Sequence, residues 1–499
     1  MFPKTLRILI VVAILAANLA LVSSVLADPE DCIDRVNNTY KKLLECVTLE
    51  GVREHQAALQ AIADANGGYR FSGTPGYDAS VDYAVGVFEA AGYSVTVQSF
   101  DYQTFIELSP AILERISPPP AGPIANNIMS YSGSGDVTAA VTALPGPAVD
   151  PTPGCEAADF AGFPAGNIAL ISRGACTFAI KATNSYNAGA AGVVIYNNIA
   201  GALNGTLGAD FTLDIGVTGI TLADGLELAA TPNLVLRLQT DTFRGIATTS
   251  NVLAESTTGN PNNVIMAGAH LDSVNAGPGI NDNGSGVGAI LEVAEQMAKV
   301  KPFNKVRFAL WGAEESGLVG SRYYVSNLSA GERNQITLYL NFDMIGSPNF
   351  VRFVYDGDSS HTMGANPPGS DTIEKLFLDY FASLGLPTEP TEIGSRSDHA
   401  AFRDAGIPIG GLFTGAEGIK TPQQAALYGG TAGIAYDPCY HQACDTYANV
   451  SLEALDQNSD AVAYSVLTYA MNTQSINGAR GKGNFKPPQD DYLGSQLVR

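Results

Sequence analysis

The chain has 499 residues, with 27 Lys and Arg against 49 Asp and Glu, and a formal net charge of −22. Hydrophobic residues make up 45% and charged residues only 15%, against a usual charged share of about 25%, so large cores can form and wholesale disorder is excluded. An acidic chain with no basic stripe also excludes nucleic acid as a partner, because phosphate binding needs clustered Lys and Arg. At the N-terminus, Lys4 and Arg7 precede an apolar run from Ile8 to Val22, and Val25 and Ala27 occupy the −3 and −1 positions before Asp28. This is the layout of a secretory signal peptide over 1–27. The run is short for a membrane span, which needs about 20 apolar residues. The expectation is a secreted protein (periplasmic from a Gram-negative source), soluble and without membrane attachment once the signal is removed.

Apolar spacing at Val52, Ala57, Leu59, Ile62 and Ala63 predicts a helix over 51–66, ended by Gly67-Gly68. A second helix over 79–91 stops at Gly92, and the alternation of 93–97 predicts a strand. Ser117-Pro-Pro-Pro-Ala-Gly-Pro123 punctuates the chain. Beyond it, short β-rich runs at 137–143, 167–172, 192–196 and 234–238 accompany one helix, 179–188, which predicts a small β-rich domain over 131–250. From 251 an α/β rhythm returns. Strands at 263–267, 305–311, 337–342 and 408–413 alternate with helices at 286–300, 316–326 and 371–384, implying a largely parallel sheet. Segments 28–130 and 251–475 are therefore expected to form one α/β domain around the insert, with 476–499 a flexible tail.

Six cysteines allow fifteen pairings; proximity suggests Cys32–Cys46, Cys155–Cys176 and Cys439–Cys444. Of five Asn-x-Ser/Thr sequons, Asn283 lies inside a Gly-rich turn that has another job. In open parallel sheets chemistry gathers beyond the carboxyl ends of strands, and those ends carry metal-binding side chains here: His270-Leu-Asp272, with Asp282 in NDNGSG on the loop after it, then Glu314-Glu315 and Asp343; near the end of the chain His441 sits in CYHQACD. Taken singly, each has a plain explanation: a core histidine, acids at a helix N-terminus, an N-cap. Together, in a chain with so few charges, they imply carboxylates close enough to repel unless a cation neutralises them.

This series resembles peptidase family M28, the co-catalytic zinc aminopeptidases, and is most similar to the secreted Streptomyces-type and aminopeptidase Y-type members. The resemblance spans about 50–475, and the stretch GNIALISRGACTFAIKATNSYNAGAAGVVIYNN at 166–198 resembles a protease-associated (PA) domain, with Cys155 and Cys176 placed like that domain's disulfide. The resemblance implies a zinc-exopeptidase three-layer α/β sandwich with a mixed, largely parallel sheet and an inserted β-rich PA domain. It further implies two Zn2+ per chain bridged by Asp282, with His270 and Asp343 on one ion and Glu315 and His441 on the other. Glu314 would be the general base, Asp272 would orient His270, and Tyr440 would stabilise the tetrahedral intermediate. In the GSRSDHAAF stretch, Arg396 and Asp398 would contact substrate. The implied activity is removal of N-terminal residues from peptides or proteins by a monomer. Rival readings are a carboxypeptidase-type exopeptidase, which needs cationic groups for a C-terminal carboxylate, a one-zinc glutaminyl cyclase, and a non-catalytic receptor that has lost its ligands; all ligand positions are intact here.

Overall fold

The computed structural model describes residue 32, residues 34–362 and residues 364–479. The segments read as signal peptide and, from 480 onward, as tail lie outside the described residues. The described residues divide into two compact units, one made of those up to Phe100 together with those from Thr249 onward, the other Asp101–Thr248. The second unit starts ahead of the expected 131, because the strand read over 93–97 instead runs from Ser94 to Ser117.

In the larger unit the sheet order is Glu389–Thr391, Phe353–Tyr355, Ile409–Phe413, Ile336–Phe342, Asn260–His270, Asn304–Trp311, then the end of Val235–Glu255. The four strands from Ile409–Phe413 to Asn304–Trp311 run parallel. Antiparallel pairs flank them, Val252–Glu255 with Arg307–Leu310 on one side and Val354 with Leu412 on the other. Alternation along a strand sorts side chains to opposite faces. Ile265, Ala267 and Ala269 join a core with Leu59, Phe88, Val287, Phe377 and Val466, while Val264 and Met266 join another with Tyr324 and Phe402. Helices Leu49–Ala65, Pro75–Ala90, Gly284–Gln296, Ser370–Ser383 and Leu452–Met471 thus cover one face, and Val319–Ser326 and His399–Asp404 the other. With both faces covered, the strands read as apolar runs.

The connection from Asn260–His270 goes first to Asn304–Trp311 on one side, then across to Ile336–Phe342 on the other. That reversal opens a crevice at the carboxyl end of the His270 strand, the usual place for a ligand in such sheets. Helix Leu452–Met471 escaped the sequence reading because it shows no apolar stripe set against a polar one: the polar run Asp456–Asp460 is buried together with Leu455, Ala461, Val462, Val466 and Leu467.

In the smaller unit, Gly135–Ala143 pairs antiparallel with Val235–Thr240 and parallel with Ile168–Ser172, which continues in parallel to Gly192–Tyr196 and Val217–Ile220. Two helices lie on this sheet, Phe178–Asn187 and the unforeseen Leu222–Ala230. Gly225 disguised the latter. It is there because a Cβ would come within 2.1 Å of Tyr196.

The three pairs Cys32–Cys46, Cys155–Cys176 and Cys439–Cys444 are all disulfides. No described helix is long and apolar enough to cross a membrane. Helix Gly284–Gln296 enters flush against the Phe342 strand end, where a Cβ on Gly286 would lie 2.2 Å from the Phe342 carbonyl oxygen. Gly286→Ala should therefore destabilise the protein by about 1–3 kcal/mol in thermal unfolding. Gly331→Ala, whose Cβ would meet nothing closer than 3.9 Å, should leave the melting temperature unchanged or slightly raised.

Candidate metal centre

Three neighbouring strands deliver the side chains. His270 is the last residue of the central strand, Glu314 and Glu315 follow Trp311 on one side, and Asp343 follows Phe342 on the other. Asp282 arrives on the loop before helix Gly284–Gln296, and His441 on the loop closed by Cys439–Cys444. His270 Nε2 lies 3.1 Å from Asp282 Oδ1 and 3.3 Å from Asp343 Oδ1. His441 Nε2 lies 3.3 Å from Asp282 Oδ2 and 3.0 Å from Glu315 Oε2. Asp282 therefore turns one oxygen to each histidine. The sets His270–Asp282–Asp343 and Asp282–Glu315–His441 each gather their donor atoms within 4.8 Å of one another.

This arrangement fits metal ions on its own chemistry. His270 Nδ1 is 3.1 Å from the carbonyl oxygen of Asp272. A carbonyl only accepts, so Nδ1 carries a proton and Nε2, turned toward Asp282 and Asp343, is the nitrogen free to ligate. Between a ring nitrogen and two carboxylates either a proton or a metal cation must sit, and a metal ion takes the place of the proton that otherwise holds them together. Glu315 Oε1 is buried with no hydrogen-bond partner among the described residues, another ligand atom with unused capacity. Nitrogen and carboxylate oxygen in this ratio suit zinc.

The electrostatics are polarised. Burial pushes the Glu314 and Glu315 carboxyls above the usual range, reinforced by the acids around them. Burial also works against the charge on Asp282, but hydrogen bonds from His270 and His441 outweigh it and hold that carboxyl well below the usual range. His441 is pushed up to about 11, because Glu315 and Asp282 overcome its desolvation.

A cavity of about 370 Å³ opens on this cluster, with Glu314, Tyr440, Met344, Tyr355 and Phe413 in its wall. Tyr440 stacks on the His441 ring at 3.8 Å between centroids. Arg396 also lines the cavity, but its guanidinium is forked onto Glu417 at 2.9 and 3.0 Å and reaches the Tyr440 hydroxyl at 3.4 Å. Asp398 does not fit the expected substrate contact. It is fully buried at the head of helix His399–Asp404 and takes no part in the cavity wall; burial pushes its carboxyl up to about 7. Asp272 also differs. Its carboxylate is 3.7 Å from His270 Nδ1, and instead accepts the backbone N–H groups of Glu314 and Glu315 at 3.1 and 3.3 Å. The Asp272 backbone carbonyl orients the ring, while its side chain sets the turn after Trp311.

Two supports, Asp445 and Arg70, went unread in the sequence, and a third, Asn283, is read there only as part of a turn with another job. Asp445 accepts the N–H groups of Asn281 and Asp282, both at 2.9 Å, and so ties the His441 loop to the Asp282 loop. Its place directly after Cys444 was a usable signal. Asn283, buried, caps helix Gly284–Gln296 and donates to the Phe342 carbonyl at 3.0 Å, so this sequon is closed to glycosylation. Arg70, buried, donates to the backbone carbonyls of Leu271, Pro278 and Gly279. All are carbonyls some 200 residues away, and no local pattern could reveal them.

The profile of Peptidase family M28 matches residues 251–466, and that of the PA domain matches residues 137–228. An aminopeptidase of Pseudomonas aeruginosa is 49% identical over 472 residues, covering 92% of this chain and 88% of that protein. Among solved structures, an aminopeptidase from Aneurinibacillus sp. strain AM-1 aligns over 91% of this chain and 99% of its own, with 28% identity and a TM-score of 0.69. A zinc aminopeptidase from Bacillus subtilis aligns over 84% of this chain and 95% of its own, with 26% identity and a TM-score of 0.61. All five donor residues fall within the matched 251–466 segment, and the likeness runs nearly end to end: the chain belongs to peptidase family M28 and carries a PA domain within it.

Proposed function

We propose that this protein is an exported aminopeptidase that holds two zinc ions and hydrolyses the N-terminal peptide bond of peptides. The observation that carries the reading is the division of Asp282 between two donor sets, Oδ1 toward His270 and Asp343 and Oδ2 toward His441 and Glu315. Two further facts support it: the Pseudomonas, Aneurinibacillus and Bacillus relatives are all aminopeptidases, and the Bacillus subtilis one is a zinc enzyme. Three disulfides suit an oxidising compartment.

His270 and Asp343 would hold one ion, Glu315 and His441 the other, with Asp282 shared. When bound, the zinc ions supply Lewis acidity, lowering the pKa of a water and polarising the scissile carbonyl. Glu314 lies beside these donors on the cavity wall and serves as general base. It takes the proton of the attacking water and returns it to the departing amine, so its raised proton affinity matches the task. The Tyr440 phenol, on the same wall, donates to the oxygen that gains charge. The acidic lining favours a substrate α-ammonium group. A carboxypeptidase reading is disfavoured, because Arg396 is the one Lys or Arg among the described residues lining the cavity and it is already forked onto Glu417.

Glu314→Gln should lower kcat on an amino-acyl p-nitroanilide by about 10²–10⁴-fold with little change in KM; near-normal turnover would remove Glu314 from the mechanism. Elemental analysis of the purified protein should return two zinc ions per chain. Chelation should abolish hydrolysis, zinc should restore it, and N-terminally acetylated substrates should not be cleaved. One ion per chain, or cleavage of the blocked peptide, would overturn the reading.

A further inference from the structure

A second nest of donors lies at the far end of helix Gly284–Gln296, about 12 Å along its axis from the Asp282 loop. His55, Glu292 and Glu295 bring ligand atoms within 4.8 Å of one another. His55 and Glu292 are only 5% and 3% exposed. His55 Nδ1 is 2.8 Å from the Tyr83 hydroxyl, and Nε2 faces Glu295 Oε2 at 3.4 Å. Glu292 Oε1 takes the Thr48 N–H at 3.2 Å and the Gln296 amide at 3.4 Å, whereas its Oε2 accepts no hydrogen bond among the described residues.

Glu292 lines a cavity of about 470 Å³ together with Glu50, Gly51, Glu54 and Glu295. The niche is shaped for the carboxylate, since a Cβ on residue 51 would lie 2.4–2.5 Å from its carboxyl atoms. The nearby cation, Lys299, is paired with Asp34 at 2.6 Å. Burying a carboxylate with no Lys or Arg paired to it is costly, and a glutamine could keep the Thr48 contact without that charge. Peptide hydrolysis at the strand ends makes no use of it.

We propose that His55, Glu292 and Glu295 form a separate, non-catalytic site for a divalent transition-metal ion. One imidazole with carboxylates suits zinc or manganese, whereas calcium and magnesium take oxygen alone. The ion joins helix Leu49–Ala65, which carries His55, to helix Gly284–Gln296, whose first turn follows the Asp282 loop. Binding only the folded chain, it stabilises the packing of those helices. Burial pushes the Glu292 carboxyl up to about 8, so the ion displaces a proton when it binds near neutrality.

The test uses holoenzyme dialysed to full activity, then titrated with Zn2+ or Mn2+ alone, with bound metal counted by mass spectrometry and unfolding followed thermally. Glu292→Gln and the milder Glu295→Gln, whose side chain is 39% exposed, are compared with the natural protein. Each variant should hold one ion fewer per chain and lose the metal-dependent rise in Tm, while hydrolysis by the loaded enzyme stays unchanged. Equal ion counts in all three proteins would overturn the proposal. So would a Glu292→Gln protein that is more stable at an unchanged ion count, because a protonated carboxyl would then fill the niche. The comparison reads a difference between variants, so it stands apart from the number of ions at the His270 and His441 sets.

Discussion

Four carboxylates, Asp282, Glu314, Glu315 and Asp343, share one buried crevice, and their mutual repulsion is the constraint around which the larger unit is built. Two unit charges 4 Å apart interact by about 4 kcal/mol at an effective dielectric constant of 20. Such a cluster holds only if the backbone beneath it cannot yield and positive charge or bound protons offset the carboxylates. The backbone is held by further acids: Asp272 takes the N–H groups of Glu314 and Glu315, and Asp445 those of Asn281 and Asp282. Arg70 lies among these charges with its guanidinium wholly engaged by carbonyls, and burial lowers its pKa to about 10. Its charge offsets the acids while its fork holds the loop.

Beneath the crevice a line of buried polar groups ties strand to strand. The Trp311 indole donates to the Tyr339 hydroxyl at 2.8 Å, that hydroxyl to Asn341 at 2.9 Å, and Asn341 to the Ser397 hydroxyl at 2.9 Å. Each partner is satisfied, which is the condition under which a buried polar network adds rigidity instead of cost. The strands that end in Glu314 and Asp343 are thereby kept in step with the loop that carries Arg396.

How much could be read from the letters alone depended on how local each cause was. The parallel strands were legible because both faces are buried and their runs are apolar, as in 336–342. The donor set was legible because carboxylates and histidines at strand ends are conspicuous in a chain with 15% charged residues. Asp398 was misplaced because its neighbours Arg396 and Ser397 do line the cavity, while the turn into helix His399–Asp404 takes its side chain inward. Helix Leu452–Met471 offered no clear periodicity, because its polar and apolar residues alike are mostly buried. Arg70 serves backbone carbonyls, which have no signature in a sequence at all.

His441 sits apart from its partners in one respect that governs how the molecule comes into being. The other donors leave strands or a helix start between residues 270 and 343, whereas His441 comes from a disulfide-clasped loop far later in the chain, held to the Asp282 loop through Asp445. Loop closure of that reach is among the slower contacts to form. A chain still emerging, or one cut short before residue 441, contains His270, Glu314 and Asp343 but lacks half of the donor pair around Asp282. The cluster around Asp282 is thus completed only after synthesis has passed His441 and the loop that carries it has closed through Cys439–Cys444 and the Asp445 contacts.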